Sequence, residues 1–375
     1  MERRDALVVG GGPAGSTLAR ALVRAGLSVT VLDRRDFPRD KTCAGWITPA
    51  VVKSLELDAA DYARGRVLQP IRRFRIARMG ARALENDHGA QPVSYGIRRY
   101  EFDDYLLRRS GAELRTGVAL ASLERAGDLW IANGELAAPL VVGAGGHFCP
   151  VAKALGAAVG RAEPAVGAQE FEVELCAEEA AASPLRGDTP QLYFAPDLAG
   201  YAWIFRKGNW VNVGIGRLDP ARLGEHFDRF VEERVRAGML PARLARARRK
   251  GHAYLLYTDA VRPLVADGAL LVGDAAGLAY PESGEGIRTA VESALLAARA
   301  IVGCRGEYSA ARLASYARAI EARYGQRRRA PRAAPALPGP LKQAAAALLL
   351  RSRWFTREIV TRRWFLHEHV PPLPA

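Results

Sequence analysis

Three glycines, Gly10, Gly12 and Gly15, follow the apolar run Ala6–Val9 in the order G-x-G-x-x-G, with Pro13 and Ala14 among them. A dinucleotide diphosphate needs that spacing. Gly10 makes the tight turn, Gly12 lets the diphosphate reach the backbone, and Gly15 lets the next helix pack close to the strand. The helix start offers free N–H groups and a positive dipole end. Asp33 closes the next apolar run, where it can accept hydrogen bonds from both ribose hydroxyls, with Arg34 beside it. A second cluster lies far along the chain. Gly273 and Asp274 follow the run at 269–272, and Gly284, Gly286 and Ile287 open a long helical stretch. Asp274 suits a ribityl hydroxyl, and a helix start at Gly286 suits the negative charge of a reduced flavin. A nicotinamide dinucleotide has no ribityl chain and needs no second cluster, so the pair points to FAD.

The elements that must position these residues are legible in outline. A strand at Ala6–Val9, a helix from Ser16 to Ala25 ended by Gly26, and a strand at Leu27–Leu32 form a βαβ unit. The spacing predicts a helix within 96–110, strands at 139–142 and 269–272, and a helix from Gly286 to Val302. Strand alternation marks 69–79, 166–176, 191–196 and 201–216, and 222–250 reads as helical and Arg-rich. The expected fold is α/β (α+β overall), a Rossmann-like FAD-binding domain interrupted by a mostly antiparallel β-sheet substrate domain, with a helical C-terminal region. The FAD-binding domain is expected at 1–68, 96–165 and 258–303, the substrate domain at 69–95 and 166–257, and the helical region at 304–375. The Pro/Ala/Arg-rich stretch 326–340 reads as a linker.

The chain has 375 residues and a formal net charge of +14. Such a field suits polyanions, anionic lipid or an acidic partner. Arginine far outnumbers lysine, which genome composition alone also produces. The basic stretches 242–250 and 327–332 lack interleaved aromatic residues, so no nucleic acid is expected. The four cysteines, Cys43, Cys149, Cys176 and Cys304, form no C-x-x-C pair, and neither a metal site nor a disulfide framework is expected. Ala6–Val9 is too short for a secretory leader and no run is long enough to span a bilayer. The expected location is cytoplasmic, with a peripheral position at the inner face of the membrane as a further option. That option rests on 341–369. There Lys342, Arg351, Arg353, Arg357, Arg362 and Arg363 lie among Trp354, Phe355, Ile359, Trp364, Phe365 and Leu366. Such a tail suits either anionic headgroups or the protein's own surface.

These blocks together resemble the geranylgeranyl reductase family within the p-hydroxybenzoate hydroxylase superfamily of FAD-dependent enzymes. The matching segments are GGGPAGSTLARAL, FPRDKTCAG, RRYEFDDYL, VVGAGGHFCPVA, YAWIFRKGNWVNVGIG and VGDAAGLAYPESGEGI. The resemblance implies FAD, a two-part fold and a large apolar substrate such as an isoprenoid chain. It implies that Tyr201, Trp203, Phe205, Lys207 and Gly214 of the aromatic hairpin help line a lipid pocket, with Trp46 counted among them. The same aromatic residues also suit plain packing between layers. Arg206 stands where the family has proline. Cys43 matches a family cysteine near the flavin, with Ala44 in place of glycine, and is the candidate catalytic residue. Arg99 matches an arginine that reaches toward FAD, with Arg98 as a possible substitute. Gly145 falls where hydroxylases of the superfamily carry D-G, and that acid is absent.

The expected reaction is hydride transfer from reduced flavin to a C=C bond, with Cys43 or water as proton source. The electron donor is NAD(P)H or a carrier protein. The alternatives are an FAD-dependent monooxygenase of an aromatic or polyketide-like substrate and a non-catalytic FAD-containing lipid-binding or redox-sensing protein.

Overall fold

A computed structural model of the chain describes residues 1–160, 163–327 and 338–374. Five parallel strands form its centre in the order Ala269–Leu271, Leu140–Gly143, Ala6–Val9, Val29–Asp33 and Glu113–Thr116. Val265–Ala266 adds an antiparallel edge. The inner strands are buried along their length, which explains their unbroken apolar sequence. The helix Pro13–Arg24 packs on this sheet and against the helix Ile287–Gly303. A Cβ at Gly15 would collide with the carbonyl oxygen of Gly10, so only glycine permits this approach of helix to strand. A further helix, Ala310–Tyr324, closes the layer through buried Leu313, Tyr316 and Ile320.

The second large sheet has seven strands in the order Lys250–Tyr254, Val166–Glu174, Trp210–Arg217, Gly200–Lys207, Gln191–Phe194, Arg73–Arg78 and Leu84–Asp87. All neighbours are antiparallel except Gln191–Phe194 beside Arg73–Arg78. Alternation divides its two faces. Phe171, Ala202, Ile204, Val211, Val213 and Ile215 pack with the helix Leu223–Arg236. Phe74, Ile76, Leu192, Trp203 and Phe205 pack on the other side with Trp46 and the C-terminal segment.

The stretch 222–250 is therefore only half helical. Its helix ends at Arg236, a short turn helix spans Ala242–Arg246, and a strand begins at Lys250. Gly238 and Pro241 interrupt the helical spacing between them. Two small sheets complete the fold. One joins Glu2–Arg3, Leu136–Ala138, Leu129–Ala132 and Leu123–Ala126, and the other joins Trp46–Ile47, Ser94–Ile97 and Leu68–Ile71. The sequence boundary at 68/69 cuts through the last strand.

Beyond the linker stretch, whose residues 328–337 lie outside the described residues, come the helix Gly339–Leu349 and a π-helix, Phe355–Phe365. Val360, Phe365 and Leu366 are buried against the aromatic face of the large sheet. Of the two fates open to the tail, Phe355–Leu366 takes the protein's own surface.

Candidate active site

The C-terminal ends of the parallel strands all point to one edge, where α/β sheets of this kind bind ligands. Gly10 follows the first strand with φ +114°. The helix Pro13–Arg24 starts at Gly12 with no side-chain cap and no acid in its first turn, so its N–H groups are free for an anion. The Asp33 carboxylate accepts the Gly11 N–H at 2.8 Å and the Arg35 N–H at 2.9 Å. Arg34 follows it on the exposed side. Gly145 sits beyond the strand Leu140–Gly143, with Ala144 bonded to Val9 across the edge. The turn at Gly273 has φ +59°, and a Cβ there would come 3.1 Å from that of Ala14. The two glycine clusters, so distant in sequence, are thus neighbours.

Cations gather along this edge. Arg99 grips Asp103 with two bonds, 2.6 and 2.7 Å, and Arg39 joins the same carboxylate at 3.1 Å. Asp103 is fully buried. A Cβ at Gly12 would lie 3.5 Å from Nη2 of Arg39, so that guanidinium borders the bare helix start. Burial lowers the Lys41 ammonium to about 8, against the pull of Asp274. Burial opposes ionisation of Asp274, yet His252, Lys41 and Arg99 outweigh it and hold the carboxyl down to about 2. His252 Nε2 is 3.5 Å from its Oδ2. A Cβ at Gly286 would sit 3.1 Å from Asp274 Oδ1, so the acid lies against the start of the helix Ile287–Gly303, where the Glu285 carboxylate accepts the Arg288 N–H at 2.6 Å.

The donor set fits FAD. Asp33 suits an adenosine ribose, the Gly12 helix start with Arg39 suits a diphosphate, Asp274 suits a ribityl hydroxyl, and the Gly286 helix start suits an electron-rich ring.

The aromatic hairpin meets this edge through two pins. Tyr201 OH donates to the Ser283 carbonyl at 2.5 Å, which ties it to the turn at Gly284–Gly286. At the other end Lys207 is 1% exposed, and its Nζ donates to the carbonyls of Ala44 and Ile97, both at 2.9 Å, and pairs with Glu172 at 2.6 Å. Lys207, expected among the residues lining a lipid pocket, makes all of these contacts within the protein. Its ammonium holds the Cys43 loop to the sheet. A parallel chain of bonds runs beside it. Trp203 Nε1 donates to Asn212 Oδ1 at 2.7 Å, and Asn212 Nδ2 donates to Glu170 at 2.6 Å and to the Cys43 carbonyl at 3.1 Å. Burial pushes the Glu170 carboxyl up to about 7. Glu172 goes the other way, because Lys207 and Arg98 outweigh its burial. Arg98 also lies over the ring of Trp210, so it serves the sheet and leaves the strand edge to Arg99.

Cys43 is partly buried, and its sulfur accepts the Gly45 N–H at 3.4 Å. Beyond it the sheet face carries a cluster of aromatic rings. Trp46 stacks on Phe365 at 5.6 Å and meets Phe205 edge-on at 5.8 Å, while Tyr201 meets Phe365 at 5.3 Å. The Trp203 indole lies across Gly214, where any Cβ would strike it. Gly214 thus makes room for the indole.

Residues 3–327 match the model of a family described as FAD binding domain. The chain belongs to that family. It is 29% identical over 329 residues to digeranylgeranylglycerophospholipid reductase 2 of Methanothermobacter thermautotrophicus, covering 78% of this chain and 76% of the relative. It is 30% identical over 329 residues to the menaquinone reductase of Mycobacterium tuberculosis, covering 78% and 75%. A geranylgeranyl bacteriochlorophyll reductase-like protein from Thermoplasma acidophilum has the same fold, with a TM-score of 0.72 at 22% identity over 100% of this chain and 94% of that one. The flavin-dependent halogenase CmlS shares it at 0.64 and 23% identity, over 86% and 63%. The chain is an FAD-dependent oxidoreductase of the geranylgeranyl reductase type.

The structure adds residues that the sequence reading passed over. Arg39, Lys41 and Asp103 all lie inside the segments that carry the resemblance, Lys41 and Asp103 as motif positions without a role of their own at the site. His252 and Tyr254 face the site from a strand that was read as the end of a helix and beyond. Their alternation in Lys250–Tyr254 was the available signal. Glu170 lies outside every motif, and Asn212 and Glu285 lie inside matching segments with no role of their own implied. His147 is buried beside Arg262, at 3.3 Å, and that arginine pairs with Glu163, so it forms part of an internal charge cluster.

Proposed function

We propose that the protein reduces carbon–carbon double bonds of an isoprenoid or other large apolar substrate. The observation that carries this is the continuity of two surfaces. The aromatic face built from Trp46, Tyr201, Phe205, Phe74 and Phe194 adjoins the Cys43 loop, bonded through Trp203 and Asn212, and the Gly284–Gly286 turn, bonded through Tyr201. The names of the two reductase relatives support the same substrate class. FAD, when bound and reduced, supplies the hydride.

The chain's own residues supply the rest. Asp33, the Gly12 helix start, Arg39, Arg99 and Asp274 hold the cofactor. The aromatic face binds the chain and keeps water from it. Cys43 stands at the border of the two and is the candidate proton donor, with a bound water as the other source. Lys207 and the Trp203–Asn212–Glu170 chain fix the backbone on either side of that thiol. Phe365 and Leu366 fill the aromatic face here, so substrate entry requires the Phe355–Leu366 segment to swing aside. The electron donor is NAD(P)H or an acidic carrier protein, which the net positive charge would attract. Placement near the inner membrane face follows from the same substrate class.

The test is product analysis. Purified protein with FAD is reduced anaerobically and incubated with polyprenyl lipids. Addition of hydrogen across a double bond, seen by mass spectrometry, supports the reading. Oxygen insertion in air, with no anaerobic product, would move the protein to the monooxygenases.

A further inference from the structure

The helix Gly339–Leu349 buries none of its residues, although alanines and leucines make up most of it. Leu341 is 56% exposed, Leu348 71%, and Trp354, just beyond the helix, 65%. A helix on a folded protein ordinarily hides its apolar stripe. Here Leu341, Ala345 and Leu348 recur at helical spacing on the outside. Among the described residues its buried anchor is at its end, where Leu350 joins Trp46, Trp203 and Phe365. It therefore stands beside the segment that covers the aromatic face.

Within residues 338–357 the charge has one sign, and Glu358, which follows at once, pairs with Arg357. Residues 338–357 contain Lys342, Arg351, Arg353 and Arg357 and no Asp or Glu. Lys342, Arg351 and Arg353 are exposed and enter no ion pair among the described residues. A second copy of the chain would bring these like charges face to face with no acid of the segment to answer them. An anionic lipid surface accepts both the leucines and the cations. Among the described residues no helix is long and apolar enough to cross a membrane, so this one would lie on the surface.

We propose that residues 339–354 dock the protein on an anionic membrane leaflet. Leu341, Leu348, Leu349 and Trp354 enter the boundary between headgroups and acyl chains. Lys342, Arg351 and Arg353 rest on the lipid phosphates. The docked helix places the adjoining cover at the membrane surface, where an apolar substrate is dissolved. This rests on the lipid-reductase reading for its purpose.

The experiment is flotation of the full-length FAD-containing protein with vesicles of phosphatidylcholine, alone or mixed with phosphatidylglycerol. Binding to the mixed vesicles is expected at low salt, falling several-fold at high salt. Leu348→Asp with Trp354→Asp, and separately Arg351→Glu with Arg353→Glu, should each weaken partitioning at least tenfold. Both should leave FAD content, melting temperature and activity toward micellar substrate unchanged. Equal flotation of wild type and variants, or none by wild type, would overturn the docking. So would a concentration-dependent dimer that Leu348→Asp dissolves, which would give the face to a second copy. Failure to reduce any lipid in micelles, with flotation intact, would strike the proposed function alone.

Discussion

Cys43 and Glu170 are linked through Asn212, and they differ in how each can be tested. Cys43 borders both the flavin edge and the apolar face. A proton donor in that place is worth about a hundredfold or more in rate. Cys43→Ala is therefore expected to slow reoxidation of reduced flavin by substrate to that degree. FAD content and the rate of reduction by dithionite should not change, and rapid-mixing absorbance reads both. Glu170 acts through stability. Its folded-state value of about 7 lies above the ordinary 4.5. The native state then holds a proton that the unfolded chain has released, so stability falls as pH rises between those values. Glu170→Gln should flatten that part of the melting-temperature profile. Glu285, also pushed up to about 7 by burial, adds a slope of the same sign, so part of the fall should remain. At this scale the sequence was most informative where backbone geometry is at stake. Gly10, Gly15 and Gly273 are legible because only glycine fits such close approaches. Glu170 and Asn212 were not, because their meaning lies in partners brought together from other strands.

The elements divide in the same way. The βαβ opening was readable because its strands are buried on both sides and its helix is punctuated by glycine. Replacing Gly15 by Val would force the Pro13–Arg24 helix off the sheet, since a Cβ already collides with Gly10. We expect a loss of several kcal/mol and no retained FAD, measured by denaturant unfolding and by the spectrum of the purified variant. The small sheet at 123–138 is not legible, although its turns carry Gly127 and Asn133-Gly134, because its strands are only three or four residues long. The C-terminal cover was ambiguous for a different reason. Its aromatic residues and arginines suit water, lipid or protein alike, and only the aromatic face of the sheet decides among them. Phe365 now fills that face. Phe365→Ala should cost about 3 kcal/mol of stability through the cavity it leaves. It should also lower the KM for a bulky apolar substrate if the cover competes with it, and steady-state kinetics with micellar lipid would show the opposite if the phenyl ring is itself a binding contact.

Across the whole molecule, the cofactor joins what the chain order separates. Asp33 and Asp274 lie at two ends of one edge, and a ligand held by both should tie the fold together. A ligand that binds only the native state stabilises it in proportion to the logarithm of its concentration, by about 2.7 kcal/mol at a hundredfold excess over its dissociation constant. The melting temperature should therefore climb with added FAD, and Asp274→Ala should blunt the climb.

The central claim, that this edge and the aromatic face together deliver hydride to an alkene, is tested most directly by one single-turnover measurement. Protein with reduced FAD is mixed without oxygen with a polyprenyl lipid, and the return of the oxidised flavin spectrum is followed. The account predicts that the yellow colour returns with lipid in proportion to the double bonds reduced. A flavin that stays reduced until oxygen is admitted, whatever lipid is offered, would contradict it.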